Sequence, residues 1–269
     1  MISTRPLVLL ALTAALLVPS GPAAATPGAA CTIVGTAADE TLVGTDGDDV
    51  ICGGGGADLV RAGAGNDRVI MATGQVMTAF LGDGNDYFDG SLGASATVDG
   101  GVGSDEIVGT PGNDDLTGGA GTDGDEDVID ALGGDDVVDG ESATDVNVDL
   151  GDGDDEFDGG DGGSADIDGG DGEDVITGTP GADVIAGGAG ADELWGVAGA
   201  DNLDAGVGDD ILVGGDGVDV LDGGFGLNIC DYTATEVRTT TCEYDDAGPV
   251  VESFGISPDP VEVGASAAD

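Results

Sequence analysis

Residues Gly169–Asp222 read GGDGEDVIT GTPGADVIA GGAGADELW GVAGADNLD AGVGDDILV GGDGVDVLD, which is six consecutive units of nine residues. Each unit begins with a glycine-rich segment, has aspartate at its sixth position and has an aliphatic residue at its eighth. A strict period of this length is typical of solenoids, in which each repeat packs against its neighbours. The stretch therefore predicts stacked short strands, with one carboxylate and one apolar side chain per unit.

The composition restricts the classes of partner. The chain of 269 residues has 56 acidic residues against four basic ones, no histidine and a formal net charge of −52. Nucleic acid and anionic membrane surfaces are disfavoured as partners, because both are bound through Lys and Arg. High charge with few aromatic residues is typical of disorder. Carboxylates at a fixed spacing instead favour a fold in which cations neutralise the charge. The 55 glycines disfavour helices.

The N-terminus has the features of a secretory signal peptide. Arg5 precedes the apolar run Leu7–Val18, and Ala23–Ala25 forms a small-residue cleavage site. A retained membrane anchor is the alternative. No later segment is apolar enough to span a bilayer, so we expect a secreted chain with no membrane insertion after signal removal.

Secretion permits disulfide bonds between the four cysteines. Three pairings are formally available, and we favour Cys31 with Cys52 and Cys230 with Cys242, because each pair flanks one end of the repeat array. A zinc site is disfavoured, since neither histidine nor a CxxC motif is present. The expected segments are a signal peptide at 1–25, a lead-in at 26–34, the repeat array at 35–228, a disulfide-pinned cap at 229–245, and at 246–269 a linker, a flexible tail or the start of an incomplete β-domain.

The register of the array is irregular in its middle. The expected acid positions at 76 and 95 carry Val76 and Ser95. Since successive units alternate sides, we expect Asp67, Asp86 and Asp105 on one side, and an interrupted row between Asp58 and Asp114 on the other. A four-residue insertion near residue 123 would place Asp127 at the acid position, with Ile129 facing inward. The broken register leaves open four positions: Asp123, Asp127, Asp145 and Asp166.

The spacing favours calcium as the cation. A glycine-rich turn and a three-residue strand form one unit, and two units complete a coil of 18 residues, so that the oxygens of successive turns converge. Calcium prefers six to eight oxygen ligands, whereas magnesium demands a smaller octahedron and transition metals prefer His or Cys. The alternative is that each aspartate only bonds its own backbone. A dozen aspartates in phase, each followed by an aliphatic residue, favour calcium.

These units match the consensus GGxGxDxUx, and the segment 35–228 resembles the hemolysin-type, or RTX, calcium-binding repeats. The resemblance implies an all-β fold, a right-handed parallel β-roll, with several calcium ions held in its turns. Aspartates of this motif, together with two that continue the series at 136 and 155, are the expected metal ligands: Asp49, Asp58, Asp67, Asp86, Asp105, Asp114, Asp136, Asp155, Asp174, Asp183, Asp192, Asp201, Asp210 and Asp219.

The thin apolar core predicts that folding depends on the ion, as in other small metal-bound domains. We expect a secreted calcium-binding protein with a structural or cell-surface role. Two alternatives are an accessory region of a secreted hydrolase or toxin whose catalytic domain lies outside this chain, and an adhesin or mineral-binding surface. Catalysis is not expected, because the chain has no histidine for a catalytic triad or a zinc motif and its acids are evenly spread.

Overall fold

The computed structural model describes residues 30–120, 126–141, 145–231, 237–238 and 242–244. Every regular element among these residues is a β-strand, so they contain no helix that could cross a membrane. The predicted signal peptide and the segment 246–269 lie outside the described residues, and the expected segment boundaries stay predictions.

The strands are short and numerous. Numbered along the chain, they are β1 (Ile33–Val34), β2 (Thr41–Val43), β3 (Val50–Cys52), β4 (Ala57–Ala64), β5 (Arg68–Ile70), β6 (Val76–Asp83), β7 (Tyr87–Asp89), β8 (Ser95–Val102), β9 (Glu106–Val108), β10 (Asp115–Thr117), β11 (Glu126–Asp130), β12 (Val137–Asp139), β13 (Asp145–Asp152), β14 (Glu156–Asp158), β15 (Ser164–Asp171), β16 (Val175–Thr177), β17 (Val184–Ala189), β18 (Glu193–Trp195), β19 (Ala198–Gly199), β20 (Asn202–Val207), β21 (Ile211–Val213), β22 (Asp216–Gly217), β23 (Val220–Asp222), β24 (Asn228–Asp231), β25 (Val237–Arg238) and β26 (Cys242–Tyr244).

The strands form two large parallel sheets, each of 12 strands within the described part of the chain. The first sheet has the order β1-β3-β5-β7-β9-β11-β13-β15-β17-β20-β23-β25, and the second has β2-β4-β6-β8-β10-β12-β14-β16-β18-β21-β24-β26. Successive strands alternate between the sheets, so two strands and two turns complete one coil. A small pair, β19-β22, joins two neighbouring turns. This is the parallel β-solenoid predicted from the nine-residue period.

The core lies between the two sheets and is built around one column of apolar side chains from each, which the longer strands widen. In a three-residue strand such as β16, the middle side chain is buried, while those on either side face outward. The inward positions predicted from the six regular units are all buried, at 0–1% exposure: Ile176, Ile185, Leu194, Leu203, Leu212 and Leu221. The predicted alternation is therefore confirmed.

Coil length varies along the solenoid. The regular C-terminal part repeats every 18 residues, as between Asp183 and Asp201. Other coils have 19 residues, as between Asp155 and Asp174, and the coil from Asp105 to Asp127 has 22. The predicted four-residue insertion is thus confirmed (22 against 18), and Ile129 is buried as expected.

Four inward positions carry apolar residues where the repeat has aspartate. They are Met77 and Ala96 in the second sheet and Val146 and Ala165 in the first. Each lies ten residues after the preceding aspartate of the series rather than nine, since the turn before it is one residue longer. Each belongs to an eight-residue strand with alternating buried side chains.

The sequence prediction for two of these positions was wrong by one residue. Val76 was expected at an acid position and is instead 47% exposed, next to the buried Met77. Ser95 is half-buried, next to the buried Ala96. The longer turn shifts the register by one residue, and a shift of one residue in a strand exchanges its two faces.

Both predicted disulfide bonds are present. Cys31 is bonded to Cys52, with 5.9 Å between the Cα atoms, and Cys230 to Cys242, with 5.8 Å. The second bond joins β24 to β26, and β25 and β26 continue the two sheets beyond the last regular unit. The expected cap therefore extends the solenoid by strand pairing in its described residues.

Glycine at the fourth position of a turn is required where successive turns touch. Gly84 has φ +139°, and a Cβ there would collide with the carbonyl oxygen of Gly65 one coil earlier. Gly84→Ala is expected to destabilise the fold by about 2 kcal/mol or more, because it adds backbone strain to a collision with main chain. Urea unfolding in calcium-containing buffer measures the change.

Gly47 is the matched control, because it has the same place in an earlier turn. A Cβ at Gly47 meets no atom within 4 Å, and its φ is not positive. Gly47→Ala is therefore expected to leave stability within about 0.5 kcal/mol of the parent protein. Equal effects of the two substitutions would contradict the close stacking of the turns.

Candidate metal sites in the turns

Buried aspartates line up in two rows, one beside each large sheet. Within a row, the main-chain N–H of one aspartate donates to the Oδ1 atom of the aspartate one coil later, at 2.7–3.0 Å. The first row contains Asp49, Asp67, Asp86, Asp105, Asp127, Asp183, Asp201 and Asp219. The second row contains Asp58, Asp114, Asp136, Asp155, Asp174, Asp192 and Asp210.

All fourteen aspartates predicted as ligands lie in these rows, each at most 7% exposed. Asp67, Asp86 and Asp105 follow one another in the first row, as predicted. The predicted interruption between Asp58 and Asp114 is present in the second row, at Met77 and Ala96. A second interruption, at Val146 and Ala165 in the first row, was not predicted.

The structure describes three of the four positions that the broken register left open. Asp127 belongs to the first row, because its Oδ1 accepts the N–H of Asp105 at 2.9 Å. This is the place that a four-residue insertion predicted for it, with Ile129 facing inward. Asp145 and Asp166 are exposed and lie outside the rows. Asp123 lies outside the described residues.

Most row aspartates have a second carboxylate oxygen that is buried without a hydrogen-bond donor. Leaving a buried charged acceptor unsatisfied costs more than one ordinary hydrogen bond contributes. Such repeated orphans point to a missing cationic partner rather than to an isolated defect. Among the described residues the Oδ2 atom is in this state in Asp67, Asp86, Asp105, Asp136, Asp155, Asp174, Asp192, Asp201, Asp210 and Asp219.

Asn228 indicates which atom faces this oxygen. It follows Asp210 in the second row, and its Oδ1 accepts the Asp210 N–H at 2.9 Å, as an aspartate would. Its Nδ2 donates to the carbonyl oxygen of Gly223, the first residue of its own turn. An aspartate with the orientation of Asn228 would direct an acceptor, instead of a donor, towards that carbonyl. Two oxygens facing each other require a cation or a proton between them.

The pKa values of several row aspartates also show that their charged forms are poorly stabilised. Burial raises the pKa of Asp105 to about 8 and the pKa values of Asp86 and Asp136 to about 7, and neighbouring carboxylates in the row add to each shift. In Asp49 the pKa is instead lowered, chiefly because the Thr45 hydroxyl and then the Thr45 amide donate hydrogen bonds to the carboxylate. The row therefore holds carboxylates whose charge the protein does not stabilise by itself.

Backbone strain marks the same turns. Val197 and Leu132 each occupy the second position of a unit, and they have φ values of +69° and +74°. A left-handed backbone is rare for non-glycine residues and is a genuine outlier for a β-branched one such as Val197. These turns precede Asp201 and Asp136, both of which have an orphaned oxygen. The left-handed conformation is thus imposed by the turn and not by the residue type.

The donor set suits calcium. In the described residues, no three His, Cys, Asp or Glu side chains converge on one point. A metal ion in these turns would therefore take one or two carboxylates and complete its shell with backbone carbonyl oxygens. Calcium accepts such a mixed oxygen shell, whereas zinc sites take several nitrogen or sulfur side chains.

A parallel solenoid of glycine-rich turns, with buried carboxylates stacked from coil to coil, is a β-roll. The family model of the RTX calcium-binding nonapeptide repeat matches residues 34–69, 78–95, 99–124, 123–146, 168–203 and 195–229, which is more than half of the chain. The chain therefore belongs to this family. A comparison with curated proteins gave no match. Family membership and the orphaned oxygens together support calcium binding by the β-roll.

In the ion-free protein, the raised pKa values predict stabilisation by acid. The carboxyl groups of Asp86, Asp105 and Asp136 have pKa values of about 7 to 8 when folded, against 3.8 when unconstrained. The folded state thus binds protons more tightly, so its stability falls as the pH rises from about 4 to about 8. Circular dichroism of calcium-free protein should show more strand at about pH 5 than at about pH 8. Less strand at the lower pH would contradict the burial of these groups.

The strained turn at Val197 predicts a stabilising substitution. Val197→Gly removes the side chain that opposes the left-handed backbone, so it is expected to raise stability in calcium by about 1 kcal/mol. Val218 is the matched control, since it is an exposed valine in the next turn of the same row, without a positive φ. Val218→Gly should lower stability by about 0.5–1 kcal/mol. Thermal unfolding compares the two, and destabilisation by Val197→Gly would refute the strain.

Proposed function

We propose that this chain is a secreted calcium-binding β-roll with a structural or cell-surface role, and that it folds when it binds extracellular calcium. The ten orphaned Oδ2 atoms carry this proposal, because a buried carboxylate row without cations is self-repelling. The two disulfide bonds are consistent with an oxidising, extracellular location. The low calcium concentration inside the cell would keep the chain extended, and the higher concentration outside would fold it.

The ligands would be the orphaned Oδ2 atoms of the row aspartates, with carbonyl oxygens of the glycine-rich turns. Oδ1 fixes the side chain by accepting the N–H of the preceding coil, so that Oδ2 is held in place before an ion arrives. This pre-arrangement lowers the ordering cost of binding. When bound, calcium supplies positive charge that offsets the desolvation of the carboxylates.

We also propose that the chain is not itself an enzyme. It has no histidine, and its buried aspartates are arranged in two regular rows. The alternative role, as the accessory region of a secreted hydrolase or toxin, is favoured by one observation. Large exposed apolar side chains are concentrated towards residue 229 of the solenoid, where Trp195 is 45%, Leu227 63% and Phe225 79% exposed. A contiguous reading frame encoding a catalytic domain would support that alternative.

A calcium titration tests the main proposal. Calcium added to desalted protein should produce a cooperative gain of strand in circular dichroism, with several ions bound per chain by calorimetry. Magnesium at the same concentration should give a much smaller change, because it keeps its water and demands a smaller octahedral site. Equal strand content in excess chelator and in excess calcium would overturn the proposal.

Two matched variants locate the ions. Asp174→Asn alters a row carboxylate with an orphaned oxygen and should lower the number of bound ions. Asp166→Asn alters an exposed aspartate outside the rows and should leave that number unchanged. Loss of an ion in the second variant and not in the first would contradict the assignment.

A further inference from the structure

Some carboxylates at the acid position are satisfied by protein donors instead of being orphaned. Glu40, Asp49, Asp114 and Asp183 each lie four residues after a threonine at the second position of the same turn. In every case the threonine donates to the carboxylate through its main-chain N–H and its hydroxyl. These four pairs, called here the threonine turns, are Thr36–Glu40, Thr45–Asp49, Thr110–Asp114 and Thr179–Asp183.

The geometry is the same in two distant coils. Thr179 donates its N–H to Oδ2 of Asp183 at 2.7 Å and its hydroxyl to Oδ1 at 2.7 Å. Thr110 does the same to Asp114, at 2.5 Å and 2.9 Å. Oδ1 also accepts the N–H of the preceding coil, at 2.7 Å for Asp183 and 2.6 Å for Asp114. Both oxygens of each carboxylate are therefore occupied by donors of this chain.

The backbone of a threonine turn differs from that of a turn with an orphaned oxygen. Thr45, Thr110 and Thr179 do not have positive φ, whereas Leu132 and Val197 do at the same position of their units. In the threonine turns the second-position N–H points at Oδ2. In the turns at Leu132 and Val197 that N–H makes no such bond, and Oδ2 of Asp136 and Asp201 stays without a donor. The two turn types thus differ in whether the second-position N–H donates to Oδ2.

The threonine turns have a consistent place in the rows. Glu40 precedes Asp58 in the second row, because its N–H donates to Oδ1 of Asp58 at 2.9 Å. The interruptions divide the two rows into four blocks of consecutive carboxylates: 49–127 and 183–219 in the first row, and 40–58 and 114–210 in the second. Each block begins with a threonine turn. Asp114 and Asp183 directly follow the apolar positions Ala96 and Ala165, whose N–H groups they accept.

We propose that the first carboxylate of each block binds no calcium, because its threonine replaces the ion, and that calcium is held only by later carboxylates of the block. This inference rests on the proposed calcium binding. An ion held between two turns needs oxygens from both turns. The first turn of a block follows either an apolar turn or the start of the array, so no carboxylate of the preceding turn is available to share an ion with it. The threonine adds its hydroxyl to the main-chain donors, so that this carboxylate is satisfied without a cation.

Asp58, the second carboxylate of its block, is also satisfied by a protein donor. Its Oδ2 accepts Nε2 of Gln75 at 2.5 Å, and Oε1 of Gln75 accepts the N–H of Ala72 at 2.8 Å. Gln75 is only 2% exposed, so an amide occupies the space beside this carboxylate. Glu40 and Asp58 form the first block of the second row, and both have protein donors. That block therefore holds no ion.

Asp183 and Asp192 provide the central test, because they are buried acids of consecutive units with equivalent Oδ1 bonds. Bound calcium is counted by calorimetry and by elemental analysis of gel-filtered, calcium-loaded protein. Asp192→Asn should lower the count by at least one ion and reduce the dependence of stability on calcium concentration. Asp183→Asn should leave the count at the parent value while lowering the urea midpoint, because an amide NH2 group replaces one of the two oxygens that accept from Thr179.

Thr179→Val keeps the test decisive if Asp183→Asn does not fold. It removes only the hydroxyl and should lower the urea midpoint in calcium without changing the number of bound ions. An ion lost on Asp183→Asn or on Thr179→Val, or an unchanged midpoint for Thr179→Val, would overturn the threonine proposal and leave calcium binding intact. A parent protein that binds no calcium would instead refute the proposed function itself.

Discussion

The structure depends on a buried aspartate of which only one oxygen is satisfied by the protein. Oδ1 accepts an N–H from the coil before it, as in the bond from Asp174 to Asp192, and this bond fixes the register of successive coils. Because that bond is made in almost every turn, the carboxylates are brought into a close column. The second oxygen of most members then lacks a donor, so the arrangement that aligns the coils also creates the demand for cations.

The chain meets that demand in three ways. At most turns Oδ2 is left for a cation, at some turns a side chain of the protein donates instead (threonine at the start of each block, and Gln75 at Asp58), and at four positions the carboxylate is absent. In the last case the strand lengthens to eight residues, and Met77, Ala79 and Leu81 in β6 are all buried. Apolar burial there replaces the electrostatic term that an ion would provide. The interruptions are therefore structural segments of another kind rather than failed repeats.

The nine-residue period was sufficient to predict the sheets, the inward column and the two rows. Its limits came from turn length, because a single extra residue in the turn moved the inward position from Val76 to Met77. The four-residue insertion was readable, since Asp127 is followed by Val128 and Ile129 as the motif requires. The threonine turns are distinguished in sequence only by threonine at the second position of the unit. Their role is seen from hydrogen bonds such as those of Thr110 and Thr179.

Carboxylates on the outer face of the first sheet also repel one another. Asp130, Asp149 and Asp168 face outward and are paired in register on neighbouring strands of the first sheet. Like charges placed directly opposite each other destabilise a sheet, and burial together with these neighbours raises the pKa of Asp149. Such a surface resists collapse of the ion-free chain, because nothing among its four arginines can balance 56 acids. If folding depends on calcium as proposed, cations in the turns would have to outweigh repulsion along the whole coil. That requirement would couple the fold to the calcium concentration more strongly than any one turn could.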